Sequence, residues 1–94
     1  VVEPMMCGIG GDLFVIHRDA KTGKLTGLNA SGPAPRGLSL ENLVKAGLDG
    51  VPSSGIHTVT VPGAVRGFAE IHRRFGKLPW KDLFQPAIFF AENG

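Results

Sequence analysis

The sequence predicts an α+β fold, a β-hairpin followed mainly by helices. Two observations carry this reading. The apolar run Leu13-Phe14-Val15-Ile16 leads into turn chemistry at Asp19–Lys24 and then an alternating segment, "KLTGLNAS", that reads as its return strand. Downstream, apolar residues recur at helical spacing over residues 63 to 75 and again toward residue 94. A third observation sets the scale. Four apolar residues without alternation describe a strand covered on both faces, and that cover demands a layered architecture larger than 94 residues can supply.

Taken in order, the chain opens on "VVEPMMCGIGGD". Its glycines Gly8, Gly10 and Gly11 stand directly in front of the apolar run, where they are expected to admit a neighbouring backbone at close range. In the turn, Gly23 is free to take the positive φ that a hairpin bulge needs. On the return strand Thr26, Leu28 and Ala30 share one face, and Leu25, Gly27 and Asn29 the other. "GPAPRG", Gly32 to Gly37, makes a rigid loop. Ser39 then reads as the N-cap of a short helix carrying Leu40, Leu43, Val44 and Leu48. "HTVTVPG" predicts a short strand stopped by Pro62.

Over residues 63 to 75, Ala64, Phe68, Ile71 and Phe75 form one apolar stripe, Glu70 and Arg74 pair on the opposite face, and Gly76 caps the end. The last stretch, "LPWKDLFQPAIFFAENG", is helical again, with Pro86 opening a new helix and Gly94 closing it. All 94 residues are expected to be an incomplete part of one domain with no internal boundary. The chain starts without Met in an apolar stretch and stops at a helix cap, so further chain is expected beyond it.

Composition narrows the function classes. Hydrophobic residues make up 43% and charged residues 19%, an ordinary globular balance, so the fourteen glycines and seven prolines mark turns rather than disorder. Net charge is +2, and the basic segment "HRRFGKLPWK" carries no aromatic stacking pattern or nucleic-acid motif, so it reads as a solvated helix face with no nucleic-acid partner. The single Cys7 builds neither a disulfide framework nor a Cys-based metal site, and no apolar run has the length of a membrane span.

The chemistry-bearing patterns fail one by one. Gly8 and Gly10 match the start of a dinucleotide fingerprint, but its third glycine position is Leu13 and a strand follows instead of a helix. A P-loop needs Lys and Ser or Thr where this chain has Asp12-Leu13. His17, His57 and His72 lack metal-ligand spacing, and Ser53 and Ser54 before His57 sit in turn-rich sequence where hydroxyls bond the local backbone. Glu41, Asp49, Asp82 and Glu92 read as solvated charges. From the residues alone there is no catalytic constellation, no metal site and no cofactor.

What the residues leave open, a resemblance addresses. "VVEPMMCGIGGDLFVI", the hairpin, and "NASGPAP", followed by "VPGAVRGFAEIHRRFGKLPWKDLFQPAIFFAENG", resemble the large-subunit pattern of the γ-glutamyltransferase family (γ-glutamyltranspeptidase, glutathione hydrolase) over nearly the whole chain. The resemblance implies a four-layer αββα sandwich of the N-terminal nucleophile hydrolase type. It implies a precursor that cuts itself in two and exposes a Thr nucleophile, and a γ-glutamyl or related acyl-amide substrate of small-molecule size. That Thr would lie beyond Gly94, since Thr22, Thr26, Thr58 and Thr60 are turn or strand residues. The partner of this segment would be the remainder of its own precursor, and the compartment periplasmic or extracellular.

Substrate-contacting residues implied by the resemblance are Asn29, Ser31, Gly32 and Arg36. Family members carry an Arg at the position of Ser31, where it clamps the α-carboxylate of the γ-glutamyl group. Ser supplies neither charge nor a bidentate fork, which places this chain in a divergent branch. Arg36, beyond the Pro-Ala-Pro turn, is the second candidate for that clamp. The alternative reading is a non-catalytic remnant or interaction module that keeps the sandwich.

Overall fold

The computed structural model describes residues 2–3, 5 and 8–94. Cys7 therefore lies outside the described residues. Strands β1 (Phe14–Arg18) and β2 (Leu25–Asn29) pair antiparallel, with Phe14 opposite Asn29 and Arg18 opposite Leu25. Reciprocal Leu13 and Ala30 backbone bonds extend the ladder at its open end. The loop closes as its chemistry dictates. Gly23 sits at φ +73° and donates its N–H to Asp19 O at 2.9 Å. The Asp19 carboxylate accepts from the N–H groups of Lys21 and Thr22 and from the Thr22 hydroxyl. The Thr22 bonds hold that carboxyl below its usual range.

The faces of the hairpin differ. Val15, His17, Thr26 and Leu28 are half-buried, and the Phe75 ring of helix α2 (Ala64–Phe75) stacks on His17 with centroids 3.9 Å apart. On the other face Phe14, Ile16 and Leu25 are 67%, 82% and 65% exposed. One helix covers one face, and no second layer is present among the described residues to cover the other.

Helix α1 (Leu40–Lys45) starts where Ser39 predicts, its Oγ accepting the Asn42 N–H at 3.2 Å. Leu43 is buried, but Leu40 and Val44 face solvent. The strand expected at "HTVTVPG" does not form. Ile56–Thr58 make a 3₁₀ turn, and from the extended Val59 the chain runs to Gly63 without a ladder, tied by bonds from Val61 N–H to Pro33 O, from Gly63 N–H to Gly11 O and from the Thr60 hydroxyl to Asp12. Val59 and Thr60 carry strand propensity, but no ladder lies alongside to use it.

The helical stripe is present: Ala64 is buried, and Phe68, Ile71 and Phe75 line one apolar cleft with Leu83 and Phe84, while Gly67, outside the stripe, is the other buried position of α2 and packs on the hairpin. The chain ends in a 3₁₀ turn (Trp80–Phe84) and helix α3 (Gln85–Asn93). Pro86 sits in the first turn of α3, and Gly94 follows it at φ +84°. His72 Nε2–H donates to Leu78 O at 2.8 Å and packs edge-on to Trp80, pinning this last segment to α2.

Among the described residues the fully buried apolar side chains are Leu43 and Ala64. The radius of gyration is 17.7 Å, where a compact chain of this length measures about 12 Å. The extents of 51 × 40 × 18 Å describe a slab one to two elements thick.

Candidate functional site

The segment after β2 and the first turns of α2 come together through three glycines whose φ values are ordinary, so it is space and not backbone conformation that demands them. A Cβ on Gly32 would overlap the Val61 carbonyl, and one on Gly63 the Ala30 carbonyl. On Gly67 it would lie 2.6 Å from Ala30 Cβ and 2.8 Å from Leu13 Cδ2. The close approach expected at the opening glycines is therefore located elsewhere. Gly8 and Gly10 have nothing within 4 Å of a built Cβ.

What the opening segment contributes is a joint. Gly11 O accepts the N–H groups of Gly63 (3.2 Å) and Ala64 (3.0 Å), satisfying donors that the start of α2 leaves unpaired. Asp12 Oδ1 accepts from Gly32 N–H at 3.2 Å and from the Thr60 hydroxyl at 3.1 Å. Two adjacent residues thus fasten the hairpin, the residue 32 loop, the extended 60s segment and α2 to one another. Sequence reasoning did not single out Asp12, because its partners lie 20 and 48 positions away.

Between these parts lies an open groove of about 720 Å³. One wall is the segment from Leu28 to Pro33, and the other is the α2 face carrying Arg66, Glu70 and Arg73. Of the four residues expected to contact substrate, Asn29, Ser31 and Gly32 line this groove and Arg36 does not. The loop wall is locally ordered, since Asn29 Oδ1 accepts the Ser31 N–H at 2.9 Å in an Asx turn.

Charge on the helix wall is partly spoken for. Arg73 Nε and Nη2 donate to both Glu70 oxygens at 3.0 and 2.8 Å, and Arg74 Nε donates to Glu70 Oε1. The Arg73 hydrogen bond, then that of Arg74, holds the Glu70 carboxyl down at about 2, and Arg73 is raised in turn. Among the described residues Arg66 makes no ion pair. Ser53 and Ser54 make no hydrogen bond to His57, and no three His, Cys, Asp or Glu side chains converge as metal ligands, among the described residues. No helix of the described residues is long and apolar enough to cross a membrane.

Residues 1–94 match, over their whole length, the family model for gamma-glutamyltranspeptidase. The chain belongs to the γ-glutamyltranspeptidase family. Within it, glutathione hydrolase 5 proenzyme of Rattus norvegicus is 38% identical over all of this chain, which covers 16% of that protein. Glutathione hydrolase 3 of Arabidopsis thaliana is also 38% identical, with 14% of its length covered. The glutathione hydrolase-like YwrD proenzyme of Bacillus subtilis is 34% identical, with 18% covered. The chain thus spans about a sixth of the family members it matches.

Proposed function

We propose that the complete protein hydrolyses or transfers a γ-glutamyl or related acyl group from an amide donor such as glutathione. The observation that carries this is the family match along all 94 residues. The relatives' names, glutathione hydrolase proenzymes among them, support both the substrate and a precursor that is processed. In this reading the chain is part of the larger subunit of an αββα sandwich, and the open Phe14–Ile16–Leu25 face is where the second sheet lies.

Chemistry would proceed by attack of a Thr hydroxyl on the donor amide. A C–O ester bond forms, the C–N bond breaks and the amine leaves with the Thr proton, after which water or a second amine takes the acyl group. That Thr lies outside this chain. The Thr22, Thr58 and Thr60 hydroxyls donate to Asp19, to Gly55 O and to Asp12, and Thr26 sits mid-strand in β2. Asn29, Ser31 and Gly32 would form the loop wall against the acyl group.

The test is to express the complete protein and follow two readouts, self-cleavage by mass spectrometry and glutamate release from glutathione. Expected are two subunits, the smaller beginning with Thr, and measurable release. An intact chain that releases no glutamate would refute the reading in favour of a non-catalytic sandwich.

A further inference from the structure

We propose that Asp12 is a positioning residue for the groove: it holds the wall formed by Asn29, Ser31 and Gly32 in the shape that receives the acyl group, without lining the groove itself. This rests on the function proposed above and names the residue that keeps its substrate wall in register. From Ser31 to Pro35 the wall has little of its own to hold it. The Ser31 N–H is used locally on Asn29 Oδ1, and Pro33 and Pro35 have no N–H to donate. Two long-range hydrogen bonds hold this stretch among the described residues, Gly32 N–H to Asp12 Oδ1 and Val61 N–H to Pro33 O.

Both bonds belong to one closed ring. Gly32 and Pro33 are neighbours, Thr60 and Val61 are neighbours, and Asp12 Oδ1 accepts from Gly32 N–H at 3.2 Å and from the Thr60 hydroxyl at 3.1 Å. Asp12 therefore clamps the wall to the segment that the Val61–Pro33 bond fastens directly. Gly32 makes the ring tight, since a Cβ there would overlap the Val61 carbonyl. A carboxylate suits this place, because it accepts without donating and its charge strengthens both bonds. Asp12 also follows Gly11, whose carbonyl takes the Gly63 and Ala64 N–H groups, so the same two residues fix where the opposite wall, α2, begins. Without the clamp the wall holds its receiving shape for only part of the time. Binding must then order it, which raises KM and leaves kcat near its wild-type value.

The complete protein is compared as wild type, Asp12→Asn, Asp12→Ala, Thr60→Val and the double variant of Asp12→Ala with Thr60→Val. Leu43→Ala serves as a variant destabilised at the buried position of α1, away from the groove. Glutamate release from glutathione gives KM and kcat, and hydrogen exchange of the residue 30–32 amides reports the wall without turnover. Asp12→Ala is expected to raise KM about tenfold with kcat little changed, and Thr60→Val about three- to fivefold. The double variant matches Asp12→Ala, because Thr60 acts through Asp12. Asp12→Asn keeps an acceptor oxygen and holds KM close to that of wild type. Exchange of the wall amides quickens in Asp12→Ala and not in Asp12→Asn. Leu43→Ala lowers the urea midpoint and leaves KM unchanged.

An Asp12→Ala KM equal to wild type, or a rise matched by Leu43→Ala, would overturn the assignment by tracing the effect to stability alone. Asp12→Asn as impaired as Asp12→Ala would overturn it too, since the charge and not the acceptor would then be at work. Should Asp12→Ala not accumulate, Thr60→Val decides, and a wild-type KM with wild-type exchange refutes the clamp. A wild type that releases no glutamate refutes the proposed reaction. Faster exchange in Asp12→Ala, or in Thr60→Val, then still supports Asp12 as the holder of the wall, and unchanged exchange refutes it.

Discussion

Replacing Gly32 with alanine puts one methyl group where the Val61 carbonyl oxygen already sits. Gly32 has no positive φ, so the substitution carries no backbone-conformational strain of its own. The whole effect comes from pushing the residue 32 loop and the extended 60s segment apart. Overpacking of this kind costs about 1–3 kcal/mol. Separation also breaks the bond from Val61 N–H to Pro33 O, 3.0 Å, and the bond from Gly32 N–H to Asp12, 3.2 Å. At about 1 kcal/mol for each bond, the combined loss is roughly 3–5 kcal/mol. Alanine recovers about 0.4–1 kcal/mol by restricting the unfolded chain, too little to reverse the sign.

Denaturant titration of the complete protein measures this directly. Gly37→Ala is the control, since a Cβ there meets nothing within 4 Å, and it should stay within about 0.5 kcal/mol of wild type. Gly32→Ala as stable as Gly37→Ala would show that the two segments are not held in contact, and the account of the groove would fall with it.

Other perturbations test the remaining features. In the complete protein, Ile16→Asp and Phe14→Asp should abolish soluble, processed enzyme, because an unpaired carboxylate buried under a second layer costs several kcal/mol; normal solubility and processing would show that the face is open to water. The isolated 94-residue chain should show no cooperative thermal transition and should associate through Phe14, Ile16 and Leu25; a sharp transition of a monomer with dispersed amide resonances would contradict this. Glu70 has a folded pKa of about 2, below its unfolded value, so its pairing stabilises above about pH 4.5 and is lost as pH falls toward 2. The urea midpoint of Glu70→Gln should accordingly change less between pH 5 and pH 3 than that of wild type; equal slopes would mean that the pair contributes nothing.

Local chemistry was legible in the sequence. Asp19 and Gly23 specify the hairpin turn, Ser39 starts α1, and the apolar spacing over residues 63 to 75 marks α2 within a residue of its ends. The β2 faces follow the alternation of Thr26 and Leu28 against Leu25 and Gly27. What failed was whatever depended on a partner. Val59 and Thr60 look like strand residues, yet a strand exists only where a neighbour offers a ladder. The exposed Phe14 and Ile16 are the exception, since their unbroken apolar run already called for a cover that 94 residues do not supply. Arg66 was not singled out, because nothing in the spacing announces that residue 66 and residue 31 line one groove.

The Gly11–Asp12 joint also sets an order of assembly. The hairpin closes between neighbours in sequence, an event of about 1–10 μs. Asp12, by contrast, must wait for a residue 20 positions on and then for one 48 positions on. At roughly 5–20 residues per second of synthesis, Thr60 emerges seconds after β2 is complete. During that interval the hairpin can be native while the groove has only its loop wall, and the Asp12 carboxylate remains in water. The groove thus acquires its shape only after the hairpin has formed. Substitutions at Asp12 or Thr60 should leave early folding rates untouched and register only in the final, slow phase, when the walls are drawn together.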